Sequence, residues 1–182
     1  MSKFIITEEF WELFPQAEIA VVLAKEINNS EEFTEEVRPD IIEMLENSNR
    51  EAKKYLTEDV FSENKVVSVW RKAYQKFKTK KGVRCSIEAL LKRVEKGSEV
   101  GTLNPLVDIY NSVSLKYGLP CGGEDIDTFK GDLLLTKATG DEPFWHWETK
   151  NTAMPCLERL FTRMMKELYA DAGTGGTDSA RC

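Results

Sequence analysis

The chain has 182 residues, of which 41% are hydrophobic and 31% charged, with a formal net charge of −6 at pH 7. This length and apolar content allow one globular domain with a sizeable core, and no apolar run approaches the length of a membrane span. The acidic balance argues against an indiscriminate nucleic-acid binder, and the N-terminus lacks the basic-then-apolar pattern of a secretory signal. We therefore expect a cytoplasmic protein with no membrane partner and no DNA partner.

The spacing of apolar residues predicts short strands separated by several helices. Strands are predicted over residues 3–7, 19–24 (buried) and 132–137, with a turn over residues 138–141. Helices are predicted over residues 39–56 (with Ile41, Ile42, Met44 and Leu45 inward), 66–77, 86–95 and from Pro105 onward, and Ser30 is a candidate cap for an acidic helix. This order predicts a single α+β domain, in which a sheet packs against the helices.

The most informative stretch covers residues 103–132. Asn104 and Pro105 predict a helix start, because a capping side chain precedes a ring that fixes the first helical residue. Gly118 ends this helix, and Gly122 with Gly123 forms a loop that a ligand can approach closely. One helix face is apolar (Leu106, Val107, Tyr110, Val113, Tyr117), and the opposite face is polar (Asn104, Asp108, Asn111, Ser112). A polar face that runs into a glycine turn favours a pocket, and the alternative is an ordinary surface helix and turn.

Basic residues are concentrated in one segment despite the acidic total. Residues 65–95 carry 10 basic and 2 acidic side chains, whereas residues 1–64 carry 6 basic and 16 acidic ones. Trp70, Tyr74 and Phe77 lie among the basic residues, which is the pattern expected for contact with a phosphate backbone. A solvated helix face followed by a basic loop is the alternative. The candidate RNA-binding residues are Arg71, Lys72, Lys78, Lys80, Lys81 and Arg84.

Residue types that support common cofactor chemistry are scarce. His146 is the only histidine, and the cysteines (Cys85, Cys121, Cys156, Cys182) have no close paired spacing, so we expect reduced thiols and no metal site. No phosphate-binding glycine loop of nucleotide enzymes is present, and we expect no cofactor.

The run LNPLVDIYNSVSLKYGLPCGGEDIDTFKGD resembles the tRNA-binding and editing domain of the phenylalanyl-tRNA synthetase beta subunit, the B-three/B-four domain. It is more similar to small free-standing proteins built around that domain, as are the runs VWRKAY at residues 69–74 and SIEALLKRV at residues 86–94. The resemblance covers roughly residues 10–144. It implies an α+β fold and a tRNA or aminoacyl-tRNA partner, with a free amino acid as a further candidate ligand.

In the synthetase this domain hydrolyses the ester of tRNA wrongly charged with tyrosine, and the resemblance implies candidate residues for the same reaction. The asparagine of the motif is Asn111, which could orient water or the ester carbonyl with Asp108 or Ser112 beside it; these three are the candidate catalytic residues. The histidine position of the motif holds Gly122, a substitution that favours binding without catalysis. The candidate substrate-binding residues are Asn104, Tyr110, Gly122, Gly123 and Asp125.

Two functions remain open at this point. One is a free-standing tRNA-binding, editing-type domain that hydrolyses mischarged aminoacyl-tRNA in trans. The other is a non-catalytic module that binds RNA, an amino acid or another small ligand. The sequence shows no aminoacylation domain with an ATP site, so we do not expect it to act as a complete tRNA ligase.

Residues 145–182 change character and end in AGTGGTDSARC, which has neither periodicity nor an apolar pattern. One interpretation is a disordered tail. The other is a slipped reading frame, in which residues 154–182 can be read as ALPGEIVYKDDEGVVCRCWNWRDGQRTM. That string has two strand-like runs and resembles the WNWR ending of the free-standing proteins. We therefore take residues 1–144 as the domain and expect an exposed sheet edge and core face after it; sequencing the coding DNA distinguishes the two interpretations.

Overall fold

The computed structural model describes residues 3–30, 35–79, 82–129, 131–137, 143–144 and 154–155. Its elements are β1 (Phe4–Ile6), α1 (Glu8–Leu13), α2 (Arg38–Ala52), α3 (Lys65–Tyr74), α4 (Ser86–Glu95), α5 (Pro105–Tyr117), β2 (Leu133–Leu135), β3 (Pro143–Phe144) and β4 (Met154–Pro155). Three short 3₁₀ turns lie at Lys53–Tyr55, Phe61–Glu63 and Ile126–Thr128. This mixture of helices and a small sheet confirms the predicted α+β class. Within the described ranges, no helix is long and apolar enough to cross a membrane.

Two strand pairs are present in the described residues. β1 and β2 are parallel, with Phe4 opposite Leu133 and Ile6 opposite Leu135. They bring two segments that are far apart in the sequence together, since the amide of Leu133 donates to the carbonyl of Lys3 at 2.8 Å. β3 and β4 pair in antiparallel fashion, with Phe144 opposite Met154. The strands predicted over residues 3–7 and 132–137 are therefore confirmed, whereas the turn predicted over residues 138–141 lies outside the described residues.

The main core lies among helices α2, α3, α4 and α5. Its buried side chains are Leu45, Ala52, Phe61, Val67, Cys85, Ile87, Leu91, Val94, Val100 and Leu115. Trp70 and Tyr74 are partly buried against this cluster, as their apolar rings require. A smaller cluster around Phe10 and Leu135 attaches α1 to the β1–β2 sheet. Burial of these apolar side chains is the main stabilising contribution to the fold.

Helix boundaries agree well with the sequence pattern, and the exceptions are local. The helix predicted over residues 86–95 is found at Ser86–Glu95, and the one predicted over residues 66–77 is found at Lys65–Tyr74. The short helix Glu8–Leu13 is not predicted, because six residues carry too little periodicity. Residues 31–34, which follow the candidate cap Ser30, lie outside the described residues.

Two expectations about burial are wrong. Residues 19–24 form no regular strand, and Val22 is 90% exposed. Their apolar run fits a strand locally, but no described strand pairs with it, and a strand is stable only with a partner. Met44 is exposed on α2, whereas its neighbour Leu45 is buried as expected, because adjacent helix positions point about 100° apart and only one can face α5.

α5 buries a mixed face, in which polar side chains lie beside Val107 and Leu115, and it exposes an apolar stripe. Asp108, Ser112 and Ser114 are each at most 1% exposed, and they lie in the part of the molecule where α5 packs on α2. The exposed stripe consists of Leu106, Ile109, Val113 and Tyr117. Small side chains such as Ser112 and Ser114 let two helices approach closely, which the larger residues of the opposite stripe would prevent. The polar face predicted to line a pocket is therefore mainly a packing surface.

Candidate functional site

The start of α5 is held by an amide network. The side-chain oxygen of Asn104 accepts a hydrogen bond from the amide of Val107 at 3.1 Å, which confirms its role as the helix cap. Asn29 reinforces the same turn, since its Nδ2 donates to Asn104 Oδ1 at 2.9 Å and its Oδ1 accepts from the amide of Leu106 at 3.0 Å. These contacts occupy the side-chain oxygen of Asn104, which had been a candidate substrate contact.

Asp108 lies in the interior as a structural carboxylate. Its Oδ1 accepts from the amide of Leu103 at 2.7 Å, and its Oδ2 lies 3.8 Å from Arg38 Nη2. Burial raises the pKa of Asp108 above its ordinary value, while the Leu103 amide and the Arg38 charge oppose that rise. Among the described residues, Asp108 Oδ2 and Arg38 Nη1 are buried without a hydrogen bond. Through these contacts, Asp108 links α5 to its preceding loop and to the start of α2.

Ser112 is enclosed in the same way, and Asn111 is not. Ser112 Oγ is buried and donates to the main-chain carbonyl of Asp108 at 2.7 Å, one helical turn earlier. Asn111 is only half-buried on α5. The structure thus brings Asp108 and Ser112 together inside the protein. Of the three candidate catalytic side chains, Asn111 is the one that is partly exposed.

The glycine loop folds back over α5. A Cβ atom added to Gly123 would lie 3.7 Å from the ring of Tyr110, so the loop backbone lies close to that ring. Gly122 is exposed beside it. Asp125 caps the next 3₁₀ turn by accepting from the amide of Asp127 at 3.0 Å. Tyr110, Gly122 and Gly123 are therefore neighbours, whereas Asp125 has a local structural partner.

A cavity of about 360 Å³ lies where α3 and the following loop meet the start of α4. It is open to solvent, and its lining includes Arg71, Tyr74, Thr79, Val83, Arg84 and Glu88. Glu88 is 2% exposed and accepts two hydrogen bonds from Arg71, from Nη2 at 2.7 Å and from Nε at 3.1 Å. Arg84 Nε lies 3.8 Å from the same carboxylate oxygen. The cavity wall therefore holds two guanidinium groups around one buried carboxylate.

The other predicted RNA-binding residues lie close to the cavity-lining residues in the sequence. Lys72 on α3 and Lys78 in the following loop are exposed, while Lys80 and Lys81 lie outside the described residues. Glu88 is the residue that the charge count alone does not single out. Its position four residues after Arg84, which lies just before α4, was the available signal, because residues at this spacing lie close together where a helix begins.

The cysteines that the structure describes are unreactive thiols. Cys85 is 1% exposed, and burial raises its pKa to about 12, so the thiolate required for nucleophilic or metal chemistry is disfavoured. Cys121 is also a free thiol with a pKa raised by burial. Cys156, Cys182 and His146 lie outside the described residues.

The B3/4 domain family model matches residues 69–177, which is more than half of the chain. The chain therefore belongs to the B3/4 domain family. This is the domain of the phenylalanyl-tRNA synthetase beta subunit, as the sequence resemblance had indicated, and it connects the chain with tRNA. The match begins later than that resemblance and continues past residue 144, where we had placed its end. No curated protein and no solved structure matches the chain.

Replacing Asp108 by asparagine is expected to change stability by about 1 kcal/mol or less near neutral pH, because asparagine keeps the acceptor for Leu103. The folded-state pKa of Asp108 is raised, so its contribution to stability is present at acidic pH and is lost as pH rises through that pKa. The stability of Asp108→Asn relative to the parent should therefore improve from about pH 4 to about pH 7. Urea unfolding at several pH values measures this difference.

Asp108→Ala is the matched comparison for this prediction. It removes the acceptor of the Leu103 amide and is expected to cost about 1–3 kcal/mol more than Asp108→Asn at every pH, because neither variant carries the titrating carboxyl. Equal losses in the asparagine and alanine variants would contradict the role assigned to the Asp108–Leu103 hydrogen bond.

Proposed function

We propose that this chain is a tRNA-binding domain of the editing type, which acts as a free-standing unit and contacts tRNA or aminoacyl-tRNA through residues 65–95. The observation that carries this proposal is the convergence of Arg71 and Arg84 on an open cavity, in a segment with 10 basic and 2 acidic side chains. Lys72 and Lys78 extend the positive surface. Most of this segment lies within the family match, which begins at residue 69.

The electrostatics of this segment fit a polyanion although the whole chain is acidic. The excess of negative charge lies in residues 1–64, so the positive field of residues 65–95 is local. A local positive surface orients an RNA ligand and disfavours binding in other orientations. Contacts to phosphates release counterions, and affinity for tRNA should therefore fall steeply with salt.

Hydrolysis of mischarged aminoacyl-tRNA is the second candidate function, and Asn111 is the residue proposed to serve it. Its partial exposure, one residue from the ring that the Gly123 loop approaches, supports this candidate. The side-chain amide would orient water or donate to the ester carbonyl oxygen. Water would add to the carbonyl carbon, the ester C–O bond would break, and a proton would pass to the departing ribose oxygen. Asp108 and Ser112 would act as positioning residues that hold α5.

Binding without turnover is the alternative, in which the domain holds RNA, an amino acid or another small ligand. What supports it is the burial of Asp108 and Ser112, which leaves Asn111 as the partly exposed member of the candidate set. Gly122 at the position of the motif's histidine removes one polar contact that the synthetase domain has. No metal or cofactor enters either proposal.

Two measurements on the same protein test these proposals. If Arg71, Lys72, Lys78 and Arg84 each contact one phosphate, tRNA affinity should fall ~50–150-fold between about 50 and about 200 mM salt. Deacylation of a panel of mischarged tRNAs then separates the candidates. Hydrolysis that is lost in Asn111→Ala supports the enzyme, and salt-sensitive binding without turnover supports the binding module.

Asn47→Ala provides a matched control, because Asn47 is an exposed asparagine on α2, away from the glycine loop in sequence. It should leave both tRNA binding and any deacylation unchanged. Absence of tRNA binding at low salt would contradict the proposed function, and equal loss of activity in both asparagine variants would contradict the role of Asn111.

A further inference from the structure

The cavity between α3 and α4 has a charge arrangement that a solvated helix face does not require. Glu88 is fully inside the protein and holds two arginines, whereas Arg71 and Arg84 remain 44% and 55% exposed. One carboxylate neutralises only one of the two guanidinium groups. The cavity wall therefore carries one excess positive charge, and the hydrogen bonds to Glu88 set the position of Arg71 before any ligand arrives, which lowers the cost of ordering on binding.

The arginines keep hydrogen-bond donors available for a ligand. A guanidinium group carries five N–H donors, and Arg71 uses donors on Nε and Nη2 for Glu88. In the part of the chain that the structure describes, Arg84 meets Glu88 only at 3.8 Å, which is an ion pair rather than a hydrogen bond. Two guanidinium groups side by side match the several oxygens of a phosphate group better than they match a single carboxylate.

The remaining walls suit the rest of a nucleotide. Tyr74 contributes a ring that is held in place by the core and by Phe77, whose ring centre is 5.6 Å away. Thr79 contributes a polar side chain to the cavity wall, and Val83 contributes an apolar one. A volume of about 360 Å³ is in the range of small-ligand sites and can accept one nucleotide unit but not a duplex. Single-stranded RNA presents such units with their bases unstacked.

We propose that this cavity binds one nucleotide of a single RNA strand, with its phosphate group between Arg71 and Arg84 and Glu88 holding both arginines in position. This inference rests on the proposed tRNA-binding function and assigns one particular contact within it. The phosphate group makes the defining contact, and Tyr74 forms part of the wall beside it. Glu88 acts as a positioning residue, since its carboxylate faces the arginines.

The test uses AMP, adenosine, inorganic phosphate and glycine as probes of the full chain, with binding followed by calorimetry. AMP should bind, adenosine should bind at least tenfold more weakly, and Arg84→Gln should weaken AMP at least tenfold through loss of charge-assisted hydrogen bonds. Arg84 is more than half exposed, so this variant should fold. Arg93→Gln is the matched control, because Arg93 is an exposed arginine of α4 outside the cavity lining, and it should leave AMP binding unchanged.

Several results would overturn the inference. Equal binding of AMP and adenosine would show that the phosphate contact is absent, and inorganic phosphate as tight as AMP would indicate a site for the free ion. Glycine as tight as AMP would indicate a carboxylate site. AMP binding that persists unchanged in Arg84→Gln would place the ligand elsewhere.

The outcome for this cavity can be separated from the outcome for the proposed function. If tRNA binding is salt-sensitive but AMP binding is unchanged in Arg84→Gln, the cavity assignment is wrong and the tRNA-binding function remains supported. AMP binding that requires Arg84, in a chain that fails to bind tRNA at low salt, would support the nucleotide cavity and overturn the tRNA-binding function.

Discussion

Replacing Glu88 by alanine is expected to lower the free energy of unfolding by about 3 kcal/mol. The carboxylate is buried and accepts two hydrogen bonds from Arg71, and hydrogen bonds to a charged group contribute about 1.5–3 kcal/mol in such settings. Loss of the one buried methylene group, Cγ, adds about 1 kcal/mol. Arg71 is partly exposed and can turn to water, which keeps the loss below that of a fully buried ion pair.

Urea unfolding measures this loss, and two further variants show its origin. Glu88→Gln keeps the shape and one acceptor oxygen, so it should cost about 1–2 kcal/mol. Glu95→Ala removes a partly exposed carboxylate of the same helix and should cost less than about 1 kcal/mol. Glu88→Ala and Glu95→Ala variants of equal stability would refute the structural role given to Glu88.

Replacing Gly118 by alanine is expected to cost about 2–4 kcal/mol. Gly118 ends α5 with φ +66°, a left-handed conformation that costs a residue with a Cβ about 1–2 kcal/mol. The added Cβ would also lie 3.1 Å from Tyr55 Cζ and 3.1 Å from Val66 Cγ2. Tyr55 has little freedom to move, because its hydroxyl donates to the carbonyl of Lys116 at 2.7 Å.

Gly97→Ala is the matched control for this contact. Gly97 also has a left-handed backbone, φ +71°, but nothing lies within 4 Å of an added Cβ. Its replacement should cost only the conformational part, about 1–2 kcal/mol. The difference between the two variants in denaturant unfolding measures the close approach of Tyr55 and Val66. No difference would mean that these side chains move aside without cost.

The apolar surface of the described residues bears on the proposal that residues 145–182 are a shifted-frame or disordered tail. The stripe of α5 headed by Leu106 is exposed, and so are Val21 and Val22, which is more apolar surface than one sheet edge explains. The family match runs to residue 177, past the point where the sequence changes character. Residues 145–153 and 156–182 lie outside the described residues.

Local features of the fold were predictable because their causes lie within a few residues. The cap at Asn104, the ring of Pro105 and the left-handed Gly118 determine where α5 begins and ends, and all three act over less than one helical turn. The strands around Ile5 and Leu134 were predictable for a similar reason, since apolar residues dominate each short run.

Burial was harder to predict, because it depends on which partner each face meets. Hydrophobicity alone predicts that α5 buries the face with Leu106 and Val113. The structure instead buries the face with Asp108 and Ser112, because α5 packs on α2. The candidate site changed for this reason: two proposed catalytic side chains lie inside, and Asn111 is left partly exposed.

The sequence by itself determined the α+β class, the ends of most helices and the concentration of positive charge in residues 65–95, because these follow from neighbours along the chain. Only the tertiary structure decided that Glu88 is buried and that Arg71 and Arg84 meet around it at the edge of a cavity. Arg71 and Glu88 are 17 residues apart and on different helices, so their contact depends on how α3 packs against α4. A buried charge is stable only when such packing supplies its partner.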